Sequence, residues 1–160
     1  MVALFTSLNA TDAQAASYDK AYASKTLTVK ASAGTSYKTL GKIKVGKLVK
    51  VYGGVEIRND QYNLSSAEQY GWSKIKYNNK TAYVRTHELN FSDPFKWAPG
   101  VKDRVYKSIK KNDYAPKGTP SKFVKSYAIG GIGYYSFMVK DDGKWYQVVY
   151  INCKTGLYHG

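Results

Sequence analysis

A catalytic reading of this 160-residue chain would have to start from cysteine, histidine or paired carboxylates. A cysteine nucleophile needs a positioned base, normally histidine. Cys153 is the only cysteine, and the two histidines are His87 and His159. Cys153 sits near the end of a strand-like run, with His159 on a terminal turn, and reads as a structural thiol. A lone cysteine forms no internal disulfide, and with two histidines it leaves little material for a zinc site. Hydrolysis by carboxylates needs an acid and a base about 5–10 Å apart. Asp141-Asp142 falls in a turn signal, where aspartates satisfy local backbone groups, and Glu88 and Asp93 are isolated. Gly130-Gly131-Ile132-Gly133 lacks the following helix that would cradle a phosphate. The expectation is no enzyme, no metal and no cofactor.

Binding is better served. Tyr37, Trp72 and Tyr83 are aromatic residues placed among lysines, with Lys74 and Lys76 flanking on one segment. Rings stack on sugars or peptides while an ammonium meets an anionic group; the other reading of Trp72 and Tyr83 is that they fill a small core. The formal charge is +14, from 25 basic and 11 acidic residues. It divides evenly, 13 against 6 in residues 1–91 and 12 against 5 in residues 92–160, +7 each. Only Arg58, Arg85 and Arg104 are arginines. Lysine is a hydrated point charge, whereas reading bases favours the guanidinium fork, so interleaved Lys and Tyr does not by itself argue for nucleic acid. A diffuse lysine coat suits a phosphate-rich polymer or an anionic membrane surface, or simply keeps the chain soluble.

The elements that would position these residues are short strands. Sixteen tyrosines, with valine and threonine, favour strands. Leu27-Thr28-Val29 breaks at a loop cluster over 32–36, Lys42 to Val45 alternates, and a turn at Gly46-Lys47 leads into Leu48 to Tyr52. After Gly53-Gly54 comes a polar loop over 55–69. Trp72 to Tyr77 and Thr81 to Val84 flank Asn78-Asn79, a pair suited to a type I′ hairpin turn. The spacing predicts a small antiparallel barrel of five strands.

Composition changes at Ser92 to Pro99, where Pro94 and Pro99 mark a rigid connector. Val101, Val105 and Ile109 repeat at i, i+4 and i+8, an amphipathic helix of about three turns. Three strands follow, Phe123 to Ile129, Tyr134 to Lys140 and Lys144 to Cys153, separated by Gly130-Gly131 and Asp142-Gly143. The fold class is thus mainly β with α+β: a small barrel over 26–91 and a helix-plus-antiparallel-sheet unit over 92–160. Each is small enough to be marginal alone, so the two should pack together. Residues 1–25 read as the remnant of an export signal and a flexible lead-in, with apolar Val2 to Phe5 and a small-x-small site at Ala13-Gln14-Ala15.

Residues 26–90 resemble a bacterial SH3 domain. The segment Leu27-Thr-Val-Lys-Ala-Ser-Ala-Gly-Thr-Ser-Tyr37, with Leu40 and Gly41, is similar to that family's opening motif. Gly71-Trp72, Lys74-Ile75 and Ala82-Tyr83-Val84 are similar to its second block. Ser32-Ala33 stands where the family carries Gly-Pro, which weakens any transfer of a specific ligand. The resemblance implies a secreted or wall-associated module of a Gram-positive bacterium, with peptidoglycan or a teichoic-acid-like wall polymer as partner. Tyr150-Ile-Asn-Cys-Lys-Thr-Gly156 is similar to the end of a PepSY-type unit, a type linked to protease propeptides and inhibition. That similarity implies an exported protein as the alternative partner, gripped by residues 92–160.

Overall fold

The computed structural model describes residues 17–56 and 70–159. The readings at Val2 to Phe5 and Ala13 to Ala15, and nearly all of the loop over 55–69, lie outside the described residues. Among the described residues three antiparallel sheets form, with one α-helix.

Two of the sheets build the barrel. The first has the order β4-β1-β8, from β1 (Asp19–Ala23), β4 (Leu48–Val51) and β8 (Leu89–Phe91). The second has the order β3-β2-β7-β6-β5, from β2 (Leu27–Lys30), β3 (Thr39–Ile43), β5 (Gly53–Val55), β6 (Trp72–Tyr77) and β7 (Lys80–Arg85). Alternation decides the faces, as side chains of a strand point to opposite sides in turn. Leu27, Val29, Val49, Val51, Ile75, Ala82 and Val84 point inward and form one buried cluster with Ala21, Ala23, Leu89 and Phe91. Asn78 and Asn79 both take positive φ, 49° and 63°, and the hairpin turn expected there fixes the β6–β7 register.

The lead-in expected over 16–25 is corrected at Asp19–Ala23. These residues form the central strand of the first sheet, pairing with both β4 and β8. Their inward positions are Asp19, Ala21 and Ala23, two small residues and a charge, so no apolar signal marks them. Close approach of the neighbouring strands makes the strand; propensity does not.

The remaining elements form a second layer pair. Helix α1 (Val101–Lys111) buries Val101, Val105 and Ile109. It covers one face of the sheet β12-β11-β10-β9, from β9 (Ser121–Ile129), β10 (Ile132–Asp141), β11 (Lys144–Asn152) and β12 (Tyr158–His159). Phe137, Val149 and Ile151 meet the helix face, closed at the rim by Trp97 and Phe123. Asp142 and Gly143 take positive φ at the β10–β11 turn, as the Asp-Gly pair predicts. The structure is therefore mainly β, an SH3-like barrel joined to a small α+β region.

The two regions are stitched rather than tethered. Ile132 and Tyr134 of β10 belong to the barrel's own buried cluster. Arg104 of α1 donates to the Gly54 carbonyl at 2.8 Å and to the Thr155 carbonyl at 2.6 Å. A Cβ at Gly54 would collide with the Lys154 carbonyl, so only glycine allows this contact. At the centre Lys154, fully buried, donates to Asp19 Oδ2 at 2.6 Å, to the Asp93 carbonyl at 2.8 Å and to the Lys96 carbonyl at 2.7 Å. Three acceptors use all three donors of an ammonium, which also lies 4.3 Å from the Phe91 ring centroid. Burial pushes the Asp19 carboxyl above its ordinary range, and Lys154 pulls against that shift without cancelling it.

Candidate functional site

The β6–β7 register places Trp72 opposite Arg85 and Lys74 opposite Tyr83. Tyr83 is in turn the partner of Lys30 on β2. Ile75 and Ala82 occupy the inward positions of the same hairpin, so Trp72, Lys74, Tyr83 and Arg85 share the outward face of the sheet. Trp72 is only 2 % exposed and counts among the buried apolar side chains, though outside the barrel's central cluster. It lines a cavity of about 370 Å³ on that outward face.

Strand β2 and its neighbours complete this cavity. Thr26, Thr28 and Thr35 supply hydroxyls, and Lys25, Lys30 and Arg85 supply positive charge, with Glu88 as the carboxylate. Three cations against one anion leave a local charge of +2. The Arg85 guanidinium carbon stands 5.8 Å from the Trp72 ring centroid. Glu88 Oε1 is 3.9 Å from Arg85 Nη1 and 3.8 Å from Lys25 Nζ, two long ion pairs that an incoming anion can replace at little cost. Lys30 Nζ donates to Thr39 Oγ1 at 2.9 Å.

The supports of the cavity are local. A 3₁₀ turn at Thr86–Glu88 carries Glu88 back toward β2. It is anchored by a buried hydroxyl pair, Ser73 Oγ with Thr86 Oγ1 at 2.9 Å, and by Ser24 Oγ donating to the Glu88 carbonyl at 2.8 Å. His87, on the same turn, is held below its ordinary pKa by desolvation, so its ring is neutral. Arg85 covers the largely buried Trp72, and the cavity turns hydroxyls and ammonium groups outward, the donors of charge-assisted hydrogen bonds to an anion.

The five residues singled out in the sequence are spread over this part of the barrel. Trp72 lines the cavity, and Tyr83 and Lys74 sit beside it on the same face. Tyr37 is 50 % exposed, its ring lying against Gly34 in the loop that also carries the cavity residue Thr35. Lys76 borders a different, apolar cleft with Tyr52. Lys25, Thr28, Lys30, Arg85 and Glu88 were missed. Counting outward from Asn78-Asn79 pairs Arg85 with Trp72, and alternation in Leu27-Thr28-Val29-Lys30 turns Thr28 and Lys30 outward; nothing in the sequence signals Glu88.

Cys153 is buried, and its thiol donates to the Pro94 carbonyl at 3.1 Å. Desolvation pushes its pKa from 9.0 to about 11, so it stays protonated. A protonated, inward-facing thiol is a packing group and no nucleophile. Among the described residues no group of three histidine, cysteine or carboxylate side chains could hold a metal ion.

Residues 25–90 match the family described as the bacterial SH3 domain, in agreement with the resemblance read from the sequence. The matched span ends before the PepSY-like segment Tyr150 to Gly156. No curated protein and no solved structure matches the chain.

Proposed function

We propose that this is a secreted, non-enzymatic binding protein of the bacterial cell wall, whose barrel over residues 26–91 contacts peptidoglycan or an anionic wall polymer. The observation that carries this reading is the cavity bordered by Trp72, with a net charge of +2 from Lys25, Lys30, Arg85 and Glu88. Hydroxyls of Thr26, Thr28 and Thr35 for a sugar or peptide, beside charges for phosphate or carboxylate, suit such a polymer. The even lysine coat adds a salt-sensitive attraction.

Retention on purified wall sacculi, with and without teichoic acid, tests the reading. Wild type should be retained at low salt, and the double charge reversal Lys30→Glu, Arg85→Glu should lower retention by about tenfold or more. Both side chains reach solvent, so the variant should fold. No retention of wild type on either preparation would sink the idea.

The alternative, an extracellular protein-interaction or inhibitor module acting through residues 92–160, is favoured by one observation. Strand β9 is a nine-residue sheet edge that ends on exposed Ile129, and Trp145 and Tyr146 are exposed on β11 of the same sheet. Full-length protein recovered from culture medium should then co-purify with an exported partner. The Trp145→Ser, Tyr146→Ser variant should lose that partner while keeping its hold on sacculi.

A further inference from the structure

The corner of the barrel between β3 and β4 combines exposed aliphatic side chains with lysines. From Lys20 to Val55 the chain carries eight lysines and no acidic residue. At the turn joining β3 to β4, Val45 is 61 % exposed, and Leu48 at the start of β4 is 47 % exposed. Nothing lies within 4 Å of where a Cβ would stand on Gly46, so the tip is bare. Lys44 and Lys47 flank it, both exposed.

Directly beside this tip lies the second cleft, about 240 Å³, with Ile43, Leu48, Val49 and Ile75 as its apolar lining. Lys50 and Lys76 stand on its rim, each held over a tyrosine ring, Lys50 at 4.9 Å from Tyr18 and Lys76 at 5.3 Å from Tyr52. Lysines on edge strands commonly block unwanted strand pairing. That role accounts for the charges on β3 and β4 and leaves the aliphatic tip and the apolar cleft without a purpose. A soluble phosphate polymer would engage the lysines and likewise leave Val45 and Leu48 in water. A surface with anionic headgroups above an apolar layer satisfies both sets at once.

We propose that the β3–β4 corner docks on an anionic lipid bilayer, Val45 and Leu48 entering the acyl boundary while the surrounding lysines meet lipid phosphates. Attachment is peripheral: no described helix is long and apolar enough to cross a membrane. The corner is separate from the Trp72 cavity, so this inference does not rest on wall binding and can fail without it.

Co-sedimentation of the full chain with vesicles of phosphatidylcholine, alone or mixed with phosphatidylglycerol, provides the test. Wild type should bind the mixed vesicles only, and less as salt rises. V45S/L48S, which leaves the charge unchanged, should bind them at least about tenfold more weakly, with an unchanged circular dichroism spectrum and unchanged retention on wall sacculi. K44E/K47E should lose roughly fivefold per lysine. Equal binding of V45S/L48S and wild type would mean lysine–phosphate attraction without bilayer contact and would overturn the proposal. So would equal binding to phosphatidylcholine alone. Binding to soluble polyphosphate or polyglutamate but not to mixed vesicles would assign the corner to a free polyanion or an acidic peptide, and would overturn it as well.

Discussion

Replacing Lys154 by methionine is the sharpest test of what joins the barrel to the α+β region. The substitution keeps the length and apolar stem of the side chain and removes one ammonium. Asp19 then loses its only ion-pair partner among the described residues, with Oδ1 already lacking a hydrogen bond. The Asp93 and Lys96 carbonyls lose the donors at 2.8 and 2.7 Å. Breaking a buried pair by removing one partner costs about 3–5 kcal/mol. Set against a total stability of about 5–15 kcal/mol, that is a third or more in the middle of the range. In a chain of this size it should lower Tm by roughly 6–20 °C. The pH dependence gives a second handle. In Lys154→Met the Asp19 carboxyl keeps only the weaker pull of Lys96, so its folded pKa rises further above the unfolded value. A raised pKa gives stability that is present at low pH and lost as pH rises, so the gap from wild type should narrow as pH falls toward 4. Urea melts of wild type, Lys154→Met and the double variant Asp19→Leu, Lys154→Met complete the argument. The double variant should recover most of the loss, because two apolar groups leave no buried charge behind. A single-variant cost under about 1 kcal/mol, or a double variant no more stable than the single, would refute the buried ion pair as the lock.

Alkaline stability should report on two other buried groups. The unfolded Cys153 thiol ionises near 9.0 and the folded one near 11, so its stabilising share is complete below pH 9. Between those values it should fall by about 1.4 kcal/mol per pH unit; Cys153→Ala should flatten the slope between pH 9 and 10 in urea melts. Tyr134, raised from 10.0 to about 12 by desolvation, should extend the decline above pH 10 until both states have ionised. Native Cys153 should also resist thiol reagents at pH 8, while urea-unfolded protein reacts fully; fast native labelling would contradict its burial. Gly54→Ala should cost at least about 2 kcal/mol, read as a lower urea midpoint, since the new methyl meets the Lys154 carbonyl. An unchanged midpoint would mean that the two regions can separate there without loss.

Much of this architecture was legible because it is local. The Asn78-Asn79 and Asp142-Gly143 pairs mark hairpin turns, and a hairpin turn sets the register of everything that pairs beyond it. The helix showed in the spacing of Val101, Val105 and Ile109. What stayed hidden depends on distant partners. Ala21 and Ala23 give no strand signal, and only packing between β4 and β8 makes that segment extended. Lys154 reads as one lysine among many, since nothing in its neighbours reveals an acid 135 residues away. The candidate site was half legible for the same reason: Trp72 and Tyr83 carry a local motif, whereas Glu88 reaches the cavity through a 3₁₀ turn held by Ser24 and Ser73.

The Asp19–Lys154 pair also sets an order of events. The strand at the middle of the first sheet is made 135 residues before the cation that pairs with its buried carboxylate. A chain emerging N-terminus first from a ribosome therefore holds a completed barrel sequence before the lysine that locks it. Contacts this distant in sequence form slowly. The tie between Asp19 and the α+β region can form only once Lys154 is free to fold back on the barrel.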